Sequence, residues 1–291
     1  MSALMSGILI VFSQSAPALP PASPEDPPKV TMTVRPCTES VSHGQWLILA
    51  CTFTIPEGWH IYWKNPGASG VPTTIDVKTP IGFQVQPTIY PRPSVFQDSG
   101  GVTYGYENEI TMLQPILPPV SWPVDGAELA FEVTGTWLVC REKCFIGSEE
   151  TTSHVSWSSR PREPEPWAKA VLNNPRLPRP LNMRPQTTAE IRGNRLVIQG
   201  PVSKSNAIGF LPDPTPGVSM EPPVIETTED ALIVEIPFTV RSGDTLGQKP
   251  FARGLLTFGE KATMSAYEVS IPIERNPKES KSKREQREQQ P

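Results

Sequence analysis

The sequence is poor in the residue types that build most active sites. It holds three histidines, four cysteines and five tyrosines in 291 residues. No C-x-x-C pair occurs among Cys37, Cys51, Cys140 and Cys144, which removes the usual thioredoxin-like redox motif. The net charge of −4 carries no global basic bias, so nucleic acid is not an expected partner. Past the first dozen residues, no apolar run approaches the ~18 residues of a membrane helix. Good helix formers are few, and long helices are excluded by what the chain has instead: 36 prolines, each of which removes an amide donor and interrupts a helix.

Short runs rich in Val, Ile, Thr, Trp and Phe take the place of helices. "VTMTV" (Val30 to Val34) alternates between apolar and polar positions. "WLILACTFTI" (Trp46 to Ile55) is apolar at nearly every position, the pattern of a strand covered on both faces. "ELAFEVTGTWLVC" (Glu128 to Cys140) alternates again. In "ALIVEIPFTV", Leu232, Val234, Ile236, Phe238 and Val240 share one face. Turn sequences such as Pro56-Glu57-Gly58 and Asn65-Pro66-Gly67 separate the runs. The expected fold class is all-β, two immunoglobulin-like antiparallel β-sandwich domains in tandem.

The expected organisation has six parts. Residues 1–18 read as an export signal: Ala3 to Phe12 is apolar and too short to span a bilayer, and Ala16-Pro17-Ala18 is a small-x-small cleavage site, although no Lys or Arg precedes Lys29. Residues 19–29 are Pro-rich and without expected structure. Residues 30–158 form the first sandwich, 159–188 a Pro-rich linker with one helical turn near Trp167 to Leu172, 189–275 the second sandwich, and 276–291 a charged, solvated tail. Export places the chain in the periplasm or another oxidising compartment, where disulfides persist.

Chemistry concentrates in "GTWLVCREKCFIG" (Gly135 to Gly147). Cys140 ends an alternating strand, and Arg141-Glu142-Lys143 makes a tight hairpin tip before Cys144. Cysteines flanking such a tip reach the ~5.5 Å Cα separation that a disulfide requires. A ring this small removes little entropy from the unfolded chain and makes a weak staple, which favours exchange chemistry. Arg141 and Lys143 favour the nucleophilic thiolate, and Glu142 opposes them. Two other readings stay open: an inert hairpin disulfide, with the chain then a non-catalytic binding module whose two sandwiches recognise a partner, and a copper or zinc site completed by His60 or His154, although C-x₃-C is not a strong metal spacing.

Three fragments, "GWHIYWKNPGASG" (Gly58 to Gly70), "YGYENEI" (Tyr104 to Ile110) and "WLVCREKCFIG" (Trp137 to Gly147), occur in the order found in one family. They resemble the N-terminal, periplasmic domain of DsbD-type and ScsB-type thiol:disulfide interchange proteins. The second half, with "IGFLPDPTPG" (Ile208 to Gly217), looks like the second sandwich that often follows it. The resemblance implies a free-standing version of the periplasmic segment, without the membrane and thioredoxin-like domains of full-length members. It implies a redox-active Cys140–Cys144 pair, with Cys144 forming the mixed disulfide and Cys140 resolving it. It implies a flexible cap, the loop Gln97 to Tyr106, with Phe96 or Tyr104 shielding the disulfide where a family member carries Phe at Thr103; Tyr106 and Glu107 adjoin, Glu107 as a possible acid–base neighbour. The partners implied are a thioredoxin-like protein or membrane thiol reductase and client disulfide proteins, with no cofactor.

Cys37 and Cys51 lie on neighbouring expected strands and are read either as a structural disulfide or as two buried thiols. Strand parity sets Cys37 outward and Cys51 inward; a bulge at Pro36 would be needed to bring them together.

Overall fold

The computed structural model describes residues 27–98, 101–121, 124–202, 207–241, 249–259 and 265–274. The expected export signal, residues 19–26 of the segment 19–29 and the tail 276–291 lie outside the described residues.

Eleven strands build the first sandwich. They are β1 (Thr31–Pro36), β2 (Ser40–Val41), β3 (Leu47–Thr54), β4 (His60–Gly67), β5 (Thr74–Lys78), β6 (Gln84–Val85), β7 (Ser94–Asp98) and β8 (Gly101–Glu107). β9 (Glu109–Leu117), β10 (Glu128–Cys140) and β11 (Cys144–Trp157) complete it. One sheet runs β1-β3-β9-β6, and the facing sheet β2-β11-β10-β4-β8-β7, with β5 also paired to β10. In β10 the alternation is nearly complete: Leu129, Phe131, Val133, Trp137 and Val139 face inward and are buried. From the other sheet, Leu47, Leu49, Cys51 and Phe53 of β3 meet them, and Phe53 packs edge-on against Trp137 with ring centroids 5.6 Å apart.

The apolar outer positions of β3 have a separate cause. Helix α1 (Pro166–Leu172) lies over that face, where Ala168 packs with Cys37, Ala50 and Leu113. Arg35 stacks its guanidinium on Trp167 at 3.9 Å, and Arg176 donates to the Arg92 carbonyl. The Pro-rich segment is therefore bound to the first sandwich rather than a loose spacer. Its helix extends through two turns instead of one, starting at Pro166, where a missing N–H costs nothing.

The second sandwich begins where β12 (Arg179–Pro180) joins its edge, followed by a 3-10 turn at Leu181–Met183. Its remaining strands are β13 (Thr188–Arg192), β14 (Arg195–Pro201), β15 (Ile208–Pro212), β16 (Val218–Met220), β17 (Val224–Thr227), β18 (Ala231–Val240), β19 (Phe251–Phe258) and β20 (Ser265–Pro272). The sheets are β12-β20-β19-β15 and β13-β14-β18-β16. Leu232, Val234, Ile236 and Phe238 of β18 form the centre of its core, as their shared face requires. The fold class is thus all-β, two immunoglobulin-like sandwiches in tandem.

The two sandwiches touch through β4. Lys64 Nζ donates to Asp213 Oδ2 at 2.7 Å, and Asn65 Nδ2 donates to the Pro212 carbonyl at 2.7 Å. Leu211, Leu255 and Ala266 of the second sandwich join the apolar core of the first. One end of β4 is therefore clamped between sandwiches, and its other end, His60, reaches the cysteine hairpin.

Candidate functional site

β10 and β11 form one long antiparallel hairpin, in register from Glu128↔Ser156 to Cys140↔Cys144. Arg141, Glu142 and Lys143 close it, with the Arg141 amide donating to the Lys143 carbonyl at 3.1 Å. The last pair of the ladder is the disulfide Cys140–Cys144, with Cα atoms 4.2 Å apart. The register is held close to the tip by Gly147, which faces Trp137. A Cβ there would fall 2.6 Å from Trp137 Cε2, so no larger residue fits without moving the indole.

The two sulfurs differ in access. Cys140 is 2 % exposed, because β4 covers its far side and pairs Cys140 with His60 and Val139 with Ile61. Cys144 is exposed, because only the hairpin tip and solvent flank it. On the same face, two residues along β11, Ile146 is 86 % exposed.

The register extends the row across the sheet: Cys144, Cys140, His60 and then Glu107 on β8. Opposed residues of antiparallel strands share a face, so these four side chains lie on the outer surface of one sheet. Phe96 of β7 joins them. Its ring stacks on the His60 imidazole, with centroids 4.9 Å apart and planes at 23°. Tyr62 meets His60 edge-on at 5.1 Å. Gly105 is required here by the strand opposite, since a Cβ would fall onto the Ile61 carbonyl oxygen. Beyond the tip, Arg141 places its guanidinium over Trp59 at 4.8 Å, and Trp59 leans on Phe145. The charge expected to support a thiolate is thus drawn onto an indole face.

Other expected positions fall elsewhere. The segment Gln97 to Tyr106 is largely strand rather than loop: β7 and β8 pair from Ser94↔Gly105 to Asp98↔Gly101, and residues 99–100 lie outside the described residues. Tyr106 points into the core, 1 % exposed, and donates its hydroxyl to the Pro91 carbonyl at 2.6 Å. It covers nothing on the outer face, because its parity matches the core residue Ile61 opposite it. Tyr104 shares that parity and meets Trp63 edge-on at 6.1 Å, so Phe96 alone of the three aromatics reaches the cysteine face. His60 is the neighbour that sequence reasoning undervalued. Its position beside Cys140 follows from strand register, which no local pattern encodes.

His154 cannot join Cys140 in a metal cluster. It stands opposite Ala130, some ten residues up the hairpin and so about 33 Å from the tip, where it pairs with Glu128. Among the described residues, no group of three or more His, Cys, Asp or Glu side chains gathers to hold a metal ion.

Cys37 and Cys51 are separate buried thiols, and the structural disulfide weighed for them is absent. The ladder pairs Val34 with Cys51 and Pro36 with Leu49, and the Cys37 amide donates to the Ile48 carbonyl. Cys37 therefore faces α1 while Cys51 faces the inner core; no bulge at Pro36 intervenes. Burial pushes Cys37 up to about 11, with Arg35 opposing, and Cys51 up to about 12, with Cys37 adding to the rise. Both thiols stay protonated at neutral pH and are poor nucleophiles. In native protein at pH 8, iodoacetamide is expected to modify neither; unfolding should expose both. Raised folded-state values stabilise the fold below the unfolded thiol range near 8.5, and that contribution is lost as pH climbs through about 11 to 12. An alkaline titration of unfolding tests the sign.

The site so built is a surface disulfide at the tip of a β-hairpin, one sulfur accessible and one enclosed, on an immunoglobulin-like sandwich. The profile of the family "Thiol:disulfide interchange protein DsbD, N-terminal" matches residues 16–156, and this stretch carries a DsbD-type N-terminal domain. Among solved structures, the N-terminal periplasmic domain of ScsB from Proteus mirabilis superposes with a TM-score of 0.54 at 18% identity, covering 85% of this chain and 94% of that one. That likeness supports the fold, both sandwiches included. The Salmonella enterica SafA pilin–SafB chaperone complex (TM-score 0.24, 13% identity, 82% of this chain and 97% of that one) and the periplasmic chaperone SfaE (0.25, 12%, 81% and 100%) are similar only at a level that carries no argument. No curated protein matches the chain. Among the described residues, no helix is long and apolar enough to cross a membrane.

Proposed function

We propose that the protein is an exported electron relay, in which the Cys140–Cys144 pair cycles between disulfide and dithiol. A reduced partner, either a thioredoxin-like protein or a membrane thiol reductase, delivers two electrons, and the dithiol passes them to a client disulfide. The observation that carries this reading is the unequal access of the two sulfurs, Cys144 exposed and Cys140 2 % exposed, within a domain of this family. An incoming thiolate has one sulfur it can approach, and Cys140 is then the leaving group. The periplasm suits such an exchange, since disulfides persist there. Protein thiols suffice for the chemistry, so the relay needs no cofactor. The second sandwich supports the first through its clamp on β4.

A redox titration tests the proposal. A potential between about −180 and −270 mV is expected, the range of exchange proteins; a value below about −300 mV marks a structural bond and ends the relay reading.

Phe96 covers the Cys140 side of this disulfide through its stack on His60, and leaves the exposed Cys144 open. Phe96→Ala is expected to open Cys140 as a second point of attack and so speed reduction of the pair by a small thiol such as glutathione several-fold, with the potential nearly unchanged, because access changes and bond strength does not. Stopped alkylation followed by mass measurement reads the rate.

A further inference from the structure

We propose that His60 carries the proton of the Cys140 thiol during exchange, with Glu107 behind it holding the imidazolium; the inference rests on the relay reading above. Three observations converge on this role. His60 is the direct cross-strand partner of Cys140, and Glu107 the direct partner of His60 on its other side, so an imidazole stands between a sulfur and a carboxylate on one face of the sheet. Phe96 lies flat on the imidazole and Tyr62 meets its edge, which fixes the ring and limits water around it. Cys140 is buried, so a thiolate formed there lacks the solvation that an exposed one receives, and a proton donor at the neighbouring position relieves that cost.

The steps balance as follows. A partner thiolate attacks Cys144 Sγ, the Cys140–Cys144 bond breaks, and its electron pair goes to Cys140 Sγ. The imidazolium of His60 gives its proton to that sulfur and becomes neutral. The partner's second thiolate then attacks its own mixed-disulfide sulfur and releases Cys144 as a thiolate. In the outward half, the Cys144 thiolate attacks a client disulfide and releases the first client thiolate. His60 then removes the proton from Cys140. The Cys140 thiolate attacks Cys144 Sγ, re-forms the bond and releases the second client thiolate. Two electrons enter and two leave, and His60 ends as it began.

The groups facing this imidazole can be named from each neighbouring strand. They are Cys140 on β10, Cys144 beyond it on β11, Glu107 on β8 and Tyr62 on its own strand; Phe96, from β7, does not titrate. Arg141, Glu142 and Lys143 stand at the hairpin tip. Of these, Glu107 is the carboxylate in direct register with His60.

The test is the rate at which dithiothreitol reduces the Cys140–Cys144 bond in the full chain between pH 5 and 8.5, normalised to dithiothreitol thiolate. In the native protein the normalised rate should fall as pH rises through the imidazole range near ~6.5, because the acid form is lost. In His60→Gln and in His60→Phe the fall should vanish. The low-pH rate should drop by about 10²-fold, the lower end of what a positioned acid contributes. His60→Phe keeps an aromatic ring for Phe96 to stack on, so a loss shared by both variants is not a packing effect, and circular dichroism verifies that both fold. Glu107→Gln should keep the inflection and move it to lower pH. A profile in His60→Phe that matches the native one overturns the proposal, as does a native profile without inflection. If instead dithiothreitol fails to reduce the native disulfide at any of these pH values, the relay reading itself has failed.

Discussion

Cys140→Ser is expected to convert the protein from a passing relay into a trap. Its remaining thiol at Cys144 is exposed and can attack a partner disulfide, but no neighbouring sulfur remains to resolve the product. The mixed disulfide should then persist, going from a transient species to most of the protein when an oxidised partner is in excess. Cys144→Ser should do the opposite. Its remaining thiol at Cys140 is 2 % exposed, closed off by β4, and no protein partner can reach it, so no adduct should form. Both variants should lose turnover completely, since a single thiol cannot deliver two electrons to a disulfide and leave by itself. Non-reducing electrophoresis with mass identification of the adduct reads the contrast. Equal trapping by the two variants, or none by either, removes the division of labour between the sulfurs.

The largest effect on stability is expected at Phe53, far from any chemistry. Its side chain is fully enclosed on β3 and packs edge-on against Trp137 of the cysteine hairpin. Phe53→Ala should cost about 3–5 kcal/mol, because the removed ring leaves a cavity that rigid sheets on either side cannot collapse to fill. Against a total of about 5–15 kcal/mol for a typical domain, that is a substantial fraction. Thermal unfolding followed by near-ultraviolet circular dichroism measures it. The redox potential of the fraction that remains folded should be unchanged, since Phe53 lies in the core on the facing sheet and the disulfide on the outer side of its own sheet. A potential that moves with the mutation would mean that core packing under Trp137 sets the chemistry at the tip.

Much of this was open to reading from the residues alone, and for a physical reason. Alternation along Glu128 to Cys140 depends only on the two-residue repeat of a strand and on water being on one side. The three-residue tip between Cys140 and Cys144 likewise depends only on local chain geometry, so the disulfide was legible. The face of β18 was legible on the same ground. Parity even contained the answer for Cys37 and Cys51, since a strand without a bulge sets Cys37 on the face opposite Cys51.

What the chain could not announce is anything that depends on which strands become neighbours. His60 in a line of sequence is an imidazole among aromatics, and it becomes the neighbour of Cys140 only when β4 pairs with the end of β10. Tyr106 and Phe96 look equally suited to cover a disulfide. Their roles separate only when the β7–β8 register turns the first inward and lays the second on His60. The apolar outer face of β3 pointed to cover on both sides, but α1 as its covering was a matter of long-range docking. Sequence thus determined the two-sided sandwiches and the bridge between Cys140 and Cys144, because those follow from local periodicity. Tertiary structure decided which sulfur is reachable and what stands beside the other, because register between distant strands is chosen by the packing of whole sheets.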